Sequence, residues 1–162
     1  MKDLLDKISS YNLFNYFFPG ILFAVISSKI TSYPFLFDNL IIGSFIYYFI
    51  GLTISRFGSL VIEPLLRKTH FLKFADYNKF ILASKKDDKI ELLSEGNNTY
   101  RTLCSMFFLL ILLKIYELIE LVLPILKFWN IYILIVLLLI LFLFSYRKQT
   151  NYITKRINSS GG

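Results

Sequence analysis

Arg56 is the residue whose position asks most of its surroundings. It stands inside an apolar run from Ile41 to Ile62. A guanidinium stays protonated at any physiological pH. A charge within a membrane span costs about 3 kcal/mol on insertion scales, so such groups turn to protein, water or lipid phosphate. Glu63 follows seven residues later, two helical turns on and nearly the same side. Asn15, in the first apolar run, falls at a similar depth. Asn15, Arg56 and Glu63 therefore read as an intramembrane polar cluster, able to gate, to line a pore or to receive a partner. The plainer reading has Arg56 reach a lipid phosphate and fix the depth of its helix.

Lys114, Glu117 and Glu120 form a second group, spaced i, i+3 and i, i+6 on one helical stripe. Lys114 falls near the middle of the third apolar run and must pair with Glu117 or meet a hydrated cavity. Two acids on one stripe would also suit a cation path. Glu120, nearer the membrane surface, is expected to be wet. Enzyme chemistry finds little support. His70 and Cys104 are the single histidine and cysteine, which rules out an internal disulfide and a Cys-rich metal site. No HExxH, GxSxG, P-loop or GxGxxG pattern is present. The paired carboxylates Asp87-Asp88 and Glu117/Glu120 have no nucleophile or histidine beside them. No catalytic residue, metal site or cofactor is expected.

These residues need helices in a bilayer to position them. The 162 residues are 56% hydrophobic and only 18% charged, below the quarter usual for soluble domains. Spans of about 20 residues are needed. Four are expected, at 11–30, 41–62, 103–123 and 129–146, with a polar loop at 63–102. The fold class is all-α, a single domain over 1–158, an integral membrane bundle with a small helical cap. Pro19 should kink or start the first helix, and Glu63-Pro64 should close the second. The fourth run carries no charge and is expected to face lipid. In the loop, Asp76 should cap a short helix with Phe80 and Ile81 on its apolar side. Asp88 to Glu91 reads as a capping box for another. Leu92 and Leu93 are expected to pack with Phe80 and Ile81. Gly96-Asn97-Asn98 marks a turn or a weak point in a helix that runs on. Met1 to Ser10 suits a surface-lying amphipathic helix or a frayed end, not a cleaved signal peptide. Residues 159–162 read as a flexible tail or an expression remnant.

Orientation follows from basic residues. The 67–101 loop holds eight Lys and Arg and the 147–156 tail four, against one in each opposite loop. Both termini and the large loop are therefore expected in the cytoplasm of a cell whose inner membrane the chain crosses. The net charge of +7 fits anionic lipid at that face rather than nucleic acid. Gly51, Ser55 and Ser59 recur every four residues on the second span. Such a stripe lets helices approach closely, and a homo-oligomer through it is expected.

The segments Phe14-Asn15-Tyr16-Phe17-Phe18-Pro19-Gly20 and Ile54-Ser55-Arg56-Phe57-Gly58-Ser59 resemble small four-span bacterial membrane proteins, some in phage-defence regions, including the membrane subunit of Kiwa-type systems. The resemblance covers mainly the first half and implies a defence role. Three functions follow as expectations. One is an oligomeric pore or membrane-perturbing component controlled through its loop. Another is a non-conducting scaffold or sensor that docks a soluble protein on the 63–102 loop. The third is a small-solute transporter.

Overall fold

The computed structural model describes residues 11–160, so the expected helix at 1–10 lies outside the described residues. Five helices make up the described chain: α1 (Leu13–Ile30), α2 (Leu40–Lys68), α3 (Tyr77–Ser84), α4 (Lys89–Val122) and α5 (Leu126–Ser160). Four of them, all but α3, are long and apolar enough to cross a membrane. No strand occurs among the described residues.

Two prolines shape the first two long helices. Each stands two residues after a wide π turn, at Leu13–Phe17 before Pro19 and at Gly58–Ile62 before Pro64. A proline ring clashes with the carbonyl four residues back and removes a donor. A wider turn relieves that clash without ending the helix. Pro64 therefore does not close α2 as expected. The helix runs on to Lys68 and ends in a turn where His70 takes the left-handed conformation, φ 59°. There the His70 N–H donates to the Arg67 carbonyl and the Leu72 N–H to that of Leu66.

Other boundaries follow from local chemistry. Asn39 caps α2, its side-chain oxygen accepting from the N–H groups of Ile41 and Ile42 at 3.0 and 3.1 Å. Asp76 caps α3 in the same way, at 2.9 Å from Asn78 N and 3.4 Å from Lys79 N, as expected. The capping box at Asp88 does not form. Asp88 is already helical (φ −61°, ψ −21°), and a cap residue needs extended backbone. Asp87 takes the Lys89 N–H instead, at 3.0 Å. Leu123 is pushed out of the helix by Pro124 behind it, which ends α4.

The bundle is built on α1, α2 and α4. Phe23 of α1, Ile54 of α2 and Met106 and Leu110 of α4 form its buried centre. Where α1 crosses α2 the backbones touch. A Cβ on Gly20 would overlap the Tyr47 carbonyl, and one on Gly51 the Tyr16 carbonyl. Helix α5 lies against α2, at Phe142 on Phe49 and Lys148 on Ser59. No residue of its most apolar window is buried, which fits the lipid-facing expectation. Helices α4 and α5 have 34 and 35 residues, about 50 Å each, against about 30 Å of hydrocarbon. Both extend beyond a bilayer at the end that carries the 69–76 turn, here termed the basic end. The expected loop at 63–102 is thus largely helix, and the expected basic tail that begins at Arg147 continues α5, which runs to Ser160.

Candidate functional site

The polar side chains within the bundle gather in two layers separated by the apolar centre. Arg101 and Glu120 mark them on α4, nineteen residues apart, which is about 28 Å of helix. That spacing matches the hydrocarbon thickness of a bilayer.

The basic-end layer starts in the π turn of α1. Buried Asn15 accepts from the Thr102 hydroxyl at 2.9 Å and donates to the Tyr11 hydroxyl at 3.0 Å. The Thr102 hydroxyl is also 2.9 Å from the Asn98 carbonyl, and the Asn98 amide reaches Tyr11 at 3.4 Å. This network ties α1 to α4. One turn of chemistry away, Arg101 donates to Glu63 at 2.8 Å, and Lys148 of α5 lies 3.8 Å from the other oxygen of the same carboxylate. Lys148 also donates to the Ser59 carbonyl at 2.6 Å and the Ser59 hydroxyl at 2.8 Å. Three helices are therefore joined at one largely buried carboxylate. An ion pair removed from water gains strength from the low dielectric and loses its hydration, so such a joint specifies geometry more than it adds stability.

The expected Asn15–Arg56–Glu63 grouping does not assemble. Asn15 turns to Thr102, Glu63 to Arg101 and Lys148, and no ion pair joins Arg56 to a described carboxylate. The cause is the π turn between Arg56 and Glu63. It adds about one residue to the turn, which rotates Glu63 by about 100° away from Arg56. The signal was Pro64. Arg101, Thr102 and Lys148 went unread as site residues, because Arg101 and Thr102 stand at the end of a polar stretch and Lys148 in a basic tail.

The opposite-end layer holds Lys114, Glu117 and Glu120. Lys114 pairs with Glu117 at 2.7 Å, as one expectation had it, with the lysine half-exposed. The second Glu117 oxygen accepts the Ser32 N–H at 2.6 Å and so pins the α1–α2 connection. Glu120 is not wet: its side chain is buried and accepts from the Asn130 amide, whose oxygen takes the Tyr116 hydroxyl proton at 2.6 Å. Tyr33, in the connection, lies beside it. Burial first, then the Glu120 carboxylate, push the Tyr33 hydroxyl above the ordinary tyrosine range.

The small-residue stripe is occupied within the chain. Gly51 receives the Tyr16 backbone, Ser55 is buried, and Ser59 is held by Lys148. Outside the bundle, Ile81 of α3 is buried, while Leu82, Leu92 and Leu93 are 59%, 68% and 72% exposed. The expected packing of Leu92 and Leu93 with Ile81 is therefore absent. A groove of about 540 Å³ separates α3 from the end of α5, lined by Tyr77, Ile81, Leu82, Lys85, Lys155 and Asn158. Comparison with protein-family models, curated proteins and solved structures yields no match.

Proposed function

We propose that the chain is a non-enzymatic, multi-pass inner-membrane scaffold or sensor that holds a soluble protein at a cytoplasmic helical cap. The exposed apolar side chains of that cap carry the reading. Leu92 and Leu93 lie about 13 to 15 Å along α4 from the Arg101–Thr102 layer, beyond the apolar run, and are 68% and 72% exposed. Apolar surface outside a bilayer calls for a partner to cover it. The groove between α3 and α5 gives that partner a concave seat. Conduction through one copy is disfavoured by the sealed centre of Phe23, Ile54, Met106 and Leu110. On the Kiwa-type resemblance we propose bacterial defence as the setting, where a membrane scaffold would restrain or release a soluble effector.

A second reading, an oligomeric pore or membrane-perturbing component, draws on one observation. No residue in the apolar window of helix α5 is buried, so a second copy has a surface to meet. One experiment separates the two. Photo-crosslinkers at Leu92 and Leu93 should trap a soluble protein in cells, and a crosslinker at Met106, in the buried centre of the bundle, should trap none. Crosslinks to lipid alone, together with ion flux in reconstituted vesicles, would transfer the assignment to the pore.

A further inference from the structure

Among the described residues, Lys148 has more cations around it than carboxylates. Glu63 is the acid acting on it, and Arg101, Arg67 and Arg56 all act as like charges. Glu63 is already engaged by Arg101 at 2.8 Å and stands at 3.8 Å from Lys148. Arg56 and Lys148 line one small cavity of about 20 Å³ between α2 and α5, with Ser59, Ser145 and Tyr152 around it. The volume admits about one oxygen atom. The Ser145 hydroxyl in that lining is buried and has no hydrogen-bond partner among the described residues. Two cations sharing a partly buried cleft repel, unless an anion joins them. Arginine offers such an anion a planar fork, and lysine a point charge.

We propose that Arg56, Lys148 and Ser145 form a site for one phosphate group, which places a single oxygen in the cavity and keeps the rest outside it. The phosphate comes from an anionic lipid headgroup or from solution. The cleft is lined by the last turns of the apolar run on α2 and by residues at and just past the end of the run on α5, within reach of a headgroup. The site rests on the chain crossing a bilayer, and it is independent of any partner at the cap. The orphaned hydroxyl makes it distinct from diffuse attraction between a basic surface and anionic lipid. Diffuse attraction is worth about fivefold in affinity for each basic residue and does not depend on which one is removed. A built site depends on Arg56 specifically.

The test is a titration of the detergent-solubilised full chain with phosphatidylglycerol, read by native mass spectrometry, with phosphatidylcholine as reference. Arg56→Gln should weaken phosphatidylglycerol binding at least tenfold, the loss expected for hydrogen bonds to a charged group. Arg147→Gln, one charge less on an exposed neighbour, should weaken it about fivefold or less. Ser145→Ala should weaken binding about threefold and leave the lipid-free thermal midpoint unchanged or higher, because it removes an unsatisfied buried group. Displacement of the lipid by millimolar inorganic phosphate identifies a soluble anion as the source, and failure to displace it identifies the headgroup. Both support the site. Equal losses in Arg56→Gln and Arg147→Gln, or unchanged binding in Ser145→Ala, overturn it, as does equal retention of phosphatidylcholine.

Discussion

Lys148 donates to the backbone carbonyl of Ser59 at 2.6 Å, and that carbonyl is one that Pro64 leaves without a backbone donor. In an α turn Ser59 would receive the Glu63 N–H, but that group goes to Gly58. In the wide turn the donor would be residue 64, which is proline and has none. A side chain of α5 thus completes the backbone of α2, and a sequence break becomes an interhelical joint. Bare backbone groups are costly where water is scarce.

Lys148→Met should therefore destabilise the bundle by about 2–4 kcal/mol, the range for leaving buried charged and polar partners unpaired. Pro64→Ala supplies a new N–H at the same place. The double variant should lose less than the sum of the singles, with a coupling of about 1 kcal/mol. Unfolding in mixed micelles measures all three. Strict additivity would separate the proline from the lysine.

The glycines give a contrast in sign. Gly20→Ala and Gly51→Ala each place a methyl group on the backbone of the facing helix, at Tyr47 and Tyr16. Neither backbone can yield without parting α1 from α2, so each should cost about 2–3 kcal/mol. Gly96 sits inside α4 with nothing among the described residues within 4 Å of a Cβ. Gly96→Ala should stabilise by about 0.5–1 kcal/mol through helix propensity. Thermal midpoints of the purified variants check both signs, and a stabilised Gly51→Ala would refute the crossing.

The long helices were legible because an apolar run of bilayer length has few other uses. The cap on α3 was legible because Asp76 stands before a short amphipathic run with no competing residue beside it. The cap expected on Asp88 moves to Asp87, because backbone conformation, which composition does not reveal, gives the Lys89 N–H to Asp87. Seven-residue spacing placed Arg56 beside Glu63 on an ideal helix, and a single wide turn removed that relationship. Pro64 signals a stop in a soluble helix, although within a membrane helix a proline is compatible with continuation. The carboxylate's true partners, Arg101 and Lys148, lie 38 and 85 residues away, and no local pattern connects them. The two layers follow from tertiary packing alone.

The basic residues on one side and the two short turns on the other predict a topology that labelling can read. With Cys104 replaced by Ala, single cysteines at Ser32 and Ile125 should react with an impermeant maleimide in intact spheroplasts. Cysteines at Asp87 and Gln149 should react only after lysis. Ser32 and Ile125 labelling on opposite sides would reduce the number of spans and displace the arrangement of two layers.

Glu120 offers the sharpest test of the opposite-end layer. Its side chain is buried, and the Asn130 amide is the donor that meets it, while the Asn130 oxygen takes the Tyr116 proton. Asn130 stands early in α5 and Glu120 late in α4, so the pair fastens the hairpin around Pro124. Asn130→Ala leaves a buried carboxylate without that donor and a tyrosine hydroxyl without its acceptor. The cost should be about 2–4 kcal/mol, because the desolvation of each group has already been incurred. Glu120→Leu with Asn130→Leu removes both polar groups and fills their volume with apolar side chains, which a bilayer-facing hairpin accepts. The double variant should therefore be more stable than Asn130→Ala alone, by at least about 1 kcal/mol. Unfolding of the purified variants in mixed micelles supplies the comparison. If the double variant is instead the least stable, the polar joint contributes net stability, and Glu120 holds α4 to α5 by attraction rather than by the cost of leaving it alone.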